Sequence, residues 1–234
     1  MKIKVIGERN SGTNFIYKAK EENIECELID PIDGIGGHKH FFNFKTISEL
    51  EKDTIVISVV RNYMDWVNSM RLRPWNLQYK LYDSNIIDPK DPNFFNEEFY
   101  SVNVDSGFPT KYDTDIIHDD LHIYEDRKYK NIVEARNTKI NFMIKDIPRL
   151  VDKSIIVRYE DFKDNYNGSM LTLLNTLQLN LISDNIKEIN SFKGLGGSNW
   201  QDYKIKTKIW SNQQILDFSK DLNLAQESYL GYSY

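Results

Sequence analysis

The stretch KIKVIGERNSGTN, residues 2–14, decides the fold of this chain. Its first part, Lys2 to Ile6, is short, apolar and β-branched and ends at Gly7, and a helical pattern follows from Thr13 to Glu22. Doubly wound α/β folds begin with a strand, a glycine-bearing loop and a helix in this order, and the loop holds a phosphate group. We therefore expect an anion-binding site at residues 7–14.

Further short apolar runs predict the rest of a sheet. They span Ile24 to Ile29, Thr54 to Val60 and Ser154 to Val157, and continuous apolar strands are typical of a buried parallel sheet. Strands and helical patterns alternate in both halves of the chain, which predicts an α/β protein with three layers, α/β/α, around a central, mainly parallel sheet. The helical patterns lie at Asn62 to Leu72, Ile132 to Leu150, Ser169 to Leu177, Ser183 to Ile189 and Asn212 to Leu222.

A length of 234 residues is enough for one well-packed core, so we expect residues 1–234 to form a single domain. Between about residues 73 and 129 the periodic pattern weakens into an aromatic, acidic stretch with several prolines, which we interpret as an irregular or helical insertion or lid. Its aromatic side chains favour a satellite core, and a wall for a substrate is the alternative. Trp75, Tyr79 and His118 are candidates for such a wall.

Composition excludes several classes of function. Lys and Arg number 30 against 35 Asp and Glu, and the net charge of −5 does not suggest a broad face for nucleic acid. One cysteine and four histidines argue against a disulfide framework and a metal site. No apolar run approaches the roughly 18 residues of a membrane span, and the N-terminus lacks the features of a secretory signal, so a cytoplasmic protein is expected. Nothing in the sequence indicates the oligomeric state.

The loop at residues 7–14 has the chemistry of an anion site. Glycines let its backbone turn tightly, so that successive N–H groups and the positive end of the following helix converge on a ligand. Side-chain donors come from Ser11, Thr13 and Asn14.

The same loop departs from the nucleotide-binding pattern G-x-x-x-x-G-K-[ST]. Thr13 stands where the lysine belongs, and Asn14 stands where the magnesium-binding hydroxyl belongs. The strand ending at Val60 is followed by Arg61 rather than by an aspartate that would hold magnesium. These departures disfavour an ordinary NTPase and favour metal-free handling of an anion.

Five stretches in this order resemble the PAPS-dependent sulfotransferase family. They are ERNSGTN at 8–14, HKH at 38–40, VVRN at 59–62 with a serine eight residues after its arginine, RYEDF at 158–162, and KGLGGSNW at 193–200. The resemblance covers about residues 2–70 and 150–205. It implies a P-loop NTPase-like sulfotransferase fold and transfer of a sulfonate from PAPS, with PAP as the product, to a hydroxyl or amine of a small-molecule or carbohydrate acceptor.

The resemblance also assigns roles to residues. His40 would be the base that takes the acceptor's proton, with His38 as the competing base, and Lys39 and Arg9 would meet the charge on the transferred group. Tyr159 would contact the adenine. Arg61 and Ser69 would bind the 3′-phosphate, and Lys193 and Gly194 would close over it. The 5′-phosphate and sulfonate would be held by Arg9, Asn10, Ser11, Gly12, Thr13 and Asn14.

Three positions depart from the family pattern. Asn10 stands where the family has lysine or arginine, Tyr63 replaces a proline, and Phe192 replaces the arginine before the lysine and glycine. Two alternatives therefore stay open beside the sulfotransferase hypothesis. One is a divergent P-loop kinase or NTPase, and the other is a catalytically silent nucleotide-binding domain.

Overall fold

A computed structural model describes residues 1–73, 76–82, 88, 90–104, 110–189 and 208–234. The chain divides into two compact units. The first contains Met1–Asn62 and Met143–Lys206, and the second contains Tyr63–Phe142 and Thr207–Tyr234. The predicted insertion falls in the second unit, together with chain segments on either side of it. A single domain over the whole chain stays a prediction.

The first unit contains the sheet. In the part of the chain that the structure describes, its four strands are β1 (Lys2–Gly7), β2 (Glu27–Leu28), β3 (Ile55–Val60) and β4 (Lys153–Arg158). They are parallel and lie in the order β2-β1-β3-β4, which confirms the predicted α/β class with a parallel sheet. The strand predicted at Ile24 to Ile29 is only two residues long, and Ile24 forms a bridge to Leu181 instead.

One face of this sheet forms the core of the first unit. Ile3 aligns with Ile55 on the neighbouring strand, and Val5 aligns with Ile57, so these side chains share a face. Two helices bury that face, α1 (Thr13–Asn23) through Ile16 and Ala19, and α8 (Tyr166–Leu177) through Met170, Leu173, Leu174 and Leu177. The sheet and the first helix thus fix both ends of the loop at residues 8–12.

Shorter helices complete the first unit. The helix α2 (Phe44–Ser48) begins with a capping box in which Asn43 and Thr46 bond to each other's backbone N–H groups. The predicted helix from Ile132 to Leu150 is split into α5 (Ile132–Lys145) and α6 (Ile147–Leu150), because Pro148 has no N–H to continue the helix and is tolerated only in a first turn. Only α6 and the last residues of α5 belong to the first unit. A further helix, α7 (Tyr159–Asp164), follows β4 directly.

The prediction of a helix from Ser183 to Ile189 is wrong. This segment has no helical turn, and its backbone is bound to the end of α1 by Asn23. The Asn23 amide donates to the Lys187 carbonyl at 3.0 Å and accepts from the Lys187 N–H at 2.6 Å. Ile186 and Ile189 pack against the first core, so tertiary contacts replace the helical hydrogen bonds that the pattern suggested.

The second unit has its own, aromatic core. Trp66, Phe94, Phe95 and Trp210 are almost fully buried there, and the Phe95 ring lies 5.1 Å from the Trp210 ring. Phe94 and Phe95 come from the predicted insertion, so these rings form a core, as the sequence favoured. The helices of this unit are α3 (Tyr63–Leu72), α4 (Tyr79–Tyr82), most of α5, α9 (Asn212–Phe218), α10 (Leu224–Tyr229) and the 3₁₀ turns Pro92–Phe95 and His118–Asp120.

The second unit also contains two buried ion pairs. Arg136 on α5 pairs with Glu227 on α10, and both side chains are at most 2% exposed. Lys139 on α5 pairs with Asp120, which also accepts a hydrogen bond from Ser101. These pairs fix α5 to two segments that are distant in sequence. Among the described residues, no helix is long and apolar enough to cross a membrane.

Candidate functional site

The strand order places the loop at a topological switch point. After β1 the chain goes to β2 on one side, whereas after β3 it goes to β4 on the other side. The carboxyl ends of β1 and β3 therefore flank the crevice in which open parallel sheets bind ligands. The loop at residues 8–12 leaves β1 there, and Arg61 leaves β3 there.

The loop turns sharply before α1 begins. Asn10 has a φ of 61° and Gly12 a φ of 100°, both left-handed. The Ser11 N–H donates to the Glu8 carbonyl at 3.1 Å, which closes the turn. Gly12 is the N-cap of α1 and offers no side chain to the first turn. The Phe15 N–H donates to the Gly12 carbonyl at 3.0 Å, which leaves the N–H groups of Thr13 and Asn14 without a partner within the helix. The geometry thus presents helix N–H donors and the positive end of the helix dipole to the crevice.

Gly12 is required for close packing as well as for its backbone angle. A Cβ at this position would lie 2.9 Å from Tyr159 Cγ, and the left-handed φ disfavours any side chain. Tyr159 therefore lies directly against the loop.

Replacing Gly12 with alanine should lower the free energy of unfolding by about 1–3 kcal/mol and weaken anion binding, because the loop must move away from Tyr159. Urea denaturation and calorimetric titration with PAP measure the two effects. Gly231→Ala is the matched control, since Gly231 also has a positive φ, of 82°, but lies in the second unit. Gly231→Ala should also lower the free energy of unfolding but leave PAP binding unchanged. Unchanged stability and binding in Gly12→Ala would contradict this account.

Ser11 contributes a buried hydroxyl to the loop. The residue is fully buried, and its Oγ has no hydrogen-bond partner among the described residues. A Cβ placed on Gly7 would lie 2.8 Å from this Oγ, so the hydroxyl points across the loop toward the end of β1. Buried polar atoms are normally paired, so this hydroxyl is open to a hydrogen bond from a ligand or a water.

Lys39 brings an ammonium to the start of α1. Its Nζ donates to Asn14 Oδ1 at 2.5 Å, and its backbone carbonyl accepts from the Gly7 N–H at 3.0 Å. The side chain is 3% exposed, and no carboxylate of the described residues forms an ion pair with it. Burial lowers the pKa of Lys39 to about 8. A buried, charged donor therefore faces the loop with only a neutral side-chain partner.

His40 lies against the end of β1. Its Nδ1 is 2.7 Å from the Gly7 carbonyl oxygen, which only accepts, so Nδ1 carries the proton and Nε2 is the basic nitrogen. Burial lowers the pKa of His40 well below its usual value, and the nearby Lys39 and His38 lower it further. The imidazole is therefore neutral at pH 7 and able to accept a proton at Nε2.

His38 and Arg9 share a packing partner. The His38 ring stacks on Phe41 at 4.3 Å, and the Arg9 guanidinium lies 5.5 Å from the centre of the same ring. The His38 Nδ1 accepts from the His40 N–H at 3.2 Å. His38 therefore makes contacts within its own segment, through its Nδ1 and its ring. Of the two histidines, His40 is thus favoured as the proton acceptor.

Arg61 connects β3 to the loop. Its Nη1 donates to the Asn10 carbonyl at 3.1 Å, and its guanidinium lies 5.3 Å from the centre of the Tyr159 ring. The next residue, Asn62, donates its N–H to the Glu160 carboxylate at 2.9 Å. The strand β3, the loop and the start of α7 are therefore bound together, and Arg61 is buried among them.

The structure brings most of the predicted residues of the first unit to this one place. Arg9, Asn10, Ser11, Gly12, Thr13, Asn14, Lys39, His40, Arg61 and Tyr159 all lie in or beside the loop.

The remaining predicted residues lie elsewhere. Ser69 is buried on α3, in the second unit, and its joint use with Arg61 stays a prediction. Lys193 and Gly194 lie outside the described residues, as do Phe192 and Trp75. His118 begins a 3₁₀ turn, and Tyr79 begins α4.

Sequence reasoning missed three supporting residues. Lys4 lies in β1, is fully buried, and donates to the Asp30 and Gly37 carbonyls at 3.1 and 2.5 Å, which holds the segment that leads to Lys39. Its signal was a lysine in the middle of an apolar strand. Phe41 directly follows the HKH stretch, and Glu160 follows Tyr159, but nothing in their local sequence indicated what they contact.

No family model, curated protein or solved structure matches this chain.

Proposed function

We propose that the protein is a sulfotransferase that moves a sulfonate from PAPS to a hydroxyl or amine of a small-molecule or carbohydrate acceptor. One observation carries the proposal. A neutral histidine with a defined basic nitrogen and a buried lysine both lie against a glycine loop at the switch point of a parallel sheet. Proton removal from an acceptor and stabilisation of a transferred anionic group need these two kinds of side chain together.

The residues at the loop suit PAPS. Its phosphate and sulfonate oxygens are acceptors, and the site offers donors: the buried Ser11 hydroxyl, the Lys39 ammonium and the N–H groups at the start of α1. Arg61 adds a permanent positive charge near Asn10, and the Tyr159 ring provides a flat face beside it. The strand order β2-β1-β3-β4 further supports a P-loop-like fold with helical layers on the sheet.

In the proposed reaction the chain's residues move one proton and hold the charge. When bound, PAPS supplies the sulfonate, whose sulfur bonds to the acceptor oxygen or nitrogen as its bond to the 5′-phosphate oxygen breaks, and PAP leaves. His40 takes the acceptor's proton at Nε2, with Nδ1–H held by the Gly7 carbonyl. Lys39, Arg9 and the loop donors stabilise the negative charge.

A kinase or NTPase is the second candidate, and Lys39 favours it. The sequence pattern lacks the loop lysine of those enzymes, yet Lys39 brings an ammonium to Asn14 from another segment. The residue after β3 is Arg61 rather than an acid, and Asn14 replaces the magnesium-binding hydroxyl, which keeps this candidate second.

The two candidates are distinguished by thermal-shift titration with PAP, ATP and ADP, each with and without magnesium. We expect PAP to raise the melting temperature in a concentration-dependent way, indifferent to magnesium, because a ligand at a hundred times its Kd stabilises the folded state by about 2.7 kcal/mol. Stabilisation by ATP that needs magnesium would overturn the proposal in favour of a kinase or NTPase. No response to any nucleotide would overturn both.

PAP binding alone leaves a silent binding domain as an alternative, so turnover is measured next. Radiolabelled PAPS is incubated with a panel of phenol, amine and sugar acceptors. Transfer that is lost in His40→Gln supports the enzyme. Transfer that continues unchanged in His40→Gln would contradict the role of His40 as the base.

A further inference from the structure

We infer that Lys39, oriented by Asn14, is the cation that the loop presents to a tetrahedral oxyanion, and that Asn14 is a positioning residue rather than a ligand contact. The identity of the ligand, PAP, rests on the proposed function, whereas the role of the lysine does not.

The first observation is a missing charge that is restored from another segment. The loop pattern places a lysine directly after its second glycine, where this chain has Thr13. Lys39 comes from the segment after β2, 25 residues beyond Asn14, and its Nζ reaches the first turn of α1. Two bonds fix its backbone beside the loop, from the Gly7 N–H to the Lys39 carbonyl and from the Lys39 N–H to the Pro31 carbonyl.

The second observation is charge balance. An ammonium that is 3% exposed needs a negative partner, because desolvation of an unpaired charge is costly. The groups that act on the charge of Lys39 are Asp30, which favours its charged form, and Lys4, which opposes it. His38 and His40 lie on its own segment, and the loop contributes one buried carboxylate, Glu8, and one buried guanidinium, Arg9. Lys39 and Lys4 carry two positive charges against the single carboxylate that acts on both, Asp30, whereas Glu8 and Arg9 carry opposite charges, so a bound oxyanion would supply the missing negative charge.

The third observation is the buried Ser11 hydroxyl. It has no partner among the described residues and points across the same loop. A tetrahedral oxyanion held between Ser11, the start of α1 and Lys39 would satisfy this donor together with the ammonium.

Asn14 acquires a different role from the one its sequence position suggested. Its Oδ1 accepts a hydrogen bond from the Lys39 Nζ, so the amide oxygen orients the lysine. The ammonium keeps two further N–H donors for a ligand.

The test is calorimetric titration of the full chain with PAP and with inorganic pyrophosphate. Lys39→Met should weaken binding of both by about ten- to a hundredfold, since a hydrogen bond to a charged group is lost. Asn14→Ala should weaken binding less, by about two- to tenfold, because the lysine is still present and only its orienting bond is lost. Lys20→Met is the matched control, because Lys20 is equally buried in the same unit but donates to the Ile3 carbonyl, and its affinities should equal those of the wild type.

The pH dependence provides a readout that a purely structural role would not move. An anion favours the ammonium, so affinity should fall as pH rises through the pKa of Lys39, which is about 8 in the free protein, and approach a tenfold loss per pH unit by pH 9.5. Lys39→Arg should remove most of this decline, because arginine stays charged, and the remainder is due to Lys4, whose pKa burial also lowers to about 8. The pH dependence of binding to the wild type and to Lys39→Arg tests the inference even if Lys39→Met does not fold.

The outcomes distinguish failure of this inference from failure of the proposed function. PAP binding that is unchanged in Lys39→Met, or a decline with pH that persists undiminished in Lys39→Arg, would overturn the inference and leave the sulfotransferase proposal standing. Pyrophosphate binding that depends on Lys39, without PAP binding, would support the inference and overturn the proposed function. A wild-type chain that binds neither probe would overturn both.

Discussion

Replacing Arg136 with methionine should lower the free energy of unfolding of the second unit by about 3–5 kcal/mol, because it leaves the Glu227 carboxylate buried without its partner. The Arg136 Nε donates to Glu227 Oε1 at 2.8 Å, and Nη2 donates to Oε2 at 3.1 Å. The Arg136 guanidinium also lies 5.4 Å from the centre of the Trp66 ring, so the substitution removes a cation–π contact as well.

The loss should spread beyond the pair itself. The Tyr234 hydroxyl donates to Glu227 Oε2 at 3.1 Å and accepts from the Tyr63 N–H at 3.0 Å. Glu227 therefore joins α5 to the C-terminal residue and, through it, to the start of α3. Urea denaturation followed by tryptophan fluorescence measures the change, since Trp66 and Trp210 both lie in this core.

Two variants separate loss of the pair from loss of volume. In Arg136→Met with Glu227→Met, no unpaired charge remains, and much of the lost stability should return. Lys80→Met removes an exposed partner of Glu97 in the same unit and should cost at most about 1 kcal/mol. If Arg136→Met costs no more than Lys80→Met, the buried pair does not stabilise this unit.

Replacing Arg61 with alanine should raise the Kd for PAP by about thirtyfold to several thousandfold, which corresponds to the 2–5 kcal/mol cost of removing one partner of a buried charge pair. Arg61 is 6% exposed and contributes both a permanent charge and the bond to the Asn10 carbonyl that fixes the left-handed turn of the loop. The variant therefore loses an anion contact and the orientation of the loop together. Calorimetric titration at fixed salt concentration measures the effect.

Two controls interpret the Arg61 result. Arg149→Ala removes an exposed arginine of α6, which precedes the amino end of β4, and should leave the Kd unchanged. Arg61→Lys keeps the charge but cannot form the same fork of donors, so its Kd should lie between those of wild type and Arg61→Ala. An unchanged Kd in Arg61→Ala, with the chain still folded, would remove Arg61 from the binding site.

The sequence determined the elements that create the candidate site. An apolar run ending at Gly7, a loop with Gly12 and a helical pattern from Thr13 predict a strand, a turn and a helix, because the hydrophobic period and the turn residues are local signals. The run before Arg61 likewise placed this arginine at the end of a buried strand. These local patterns predicted the α/β class and the location of the loop.

Local patterns failed where contacts between distant segments decided the structure. The segment from Ser183 to Ile189 has a helical pattern, but Asn23 binds the backbone at Lys187 and apolar contacts hold Ile186 and Ile189. Similarly, the aromatic side chains near residue 95 were compatible with a core or a substrate wall, and only the packing of Phe94 and Phe95 against Trp210 decided between them.

The tertiary structure alone decided how the site residues are used. The HKH stretch offered two candidate bases, and the bond from His40 Nδ1 to the Gly7 carbonyl selects Nε2 of His40, while His38 stacks on Phe41. The position after Gly12 lacks a lysine, and the fold supplies Lys39 from another segment. Sequence spacing determines which groups are available near a strand end, but only the folded backbone sets which of them are desolvated and within bonding distance, because burial and direction depend on segments far apart in the chain.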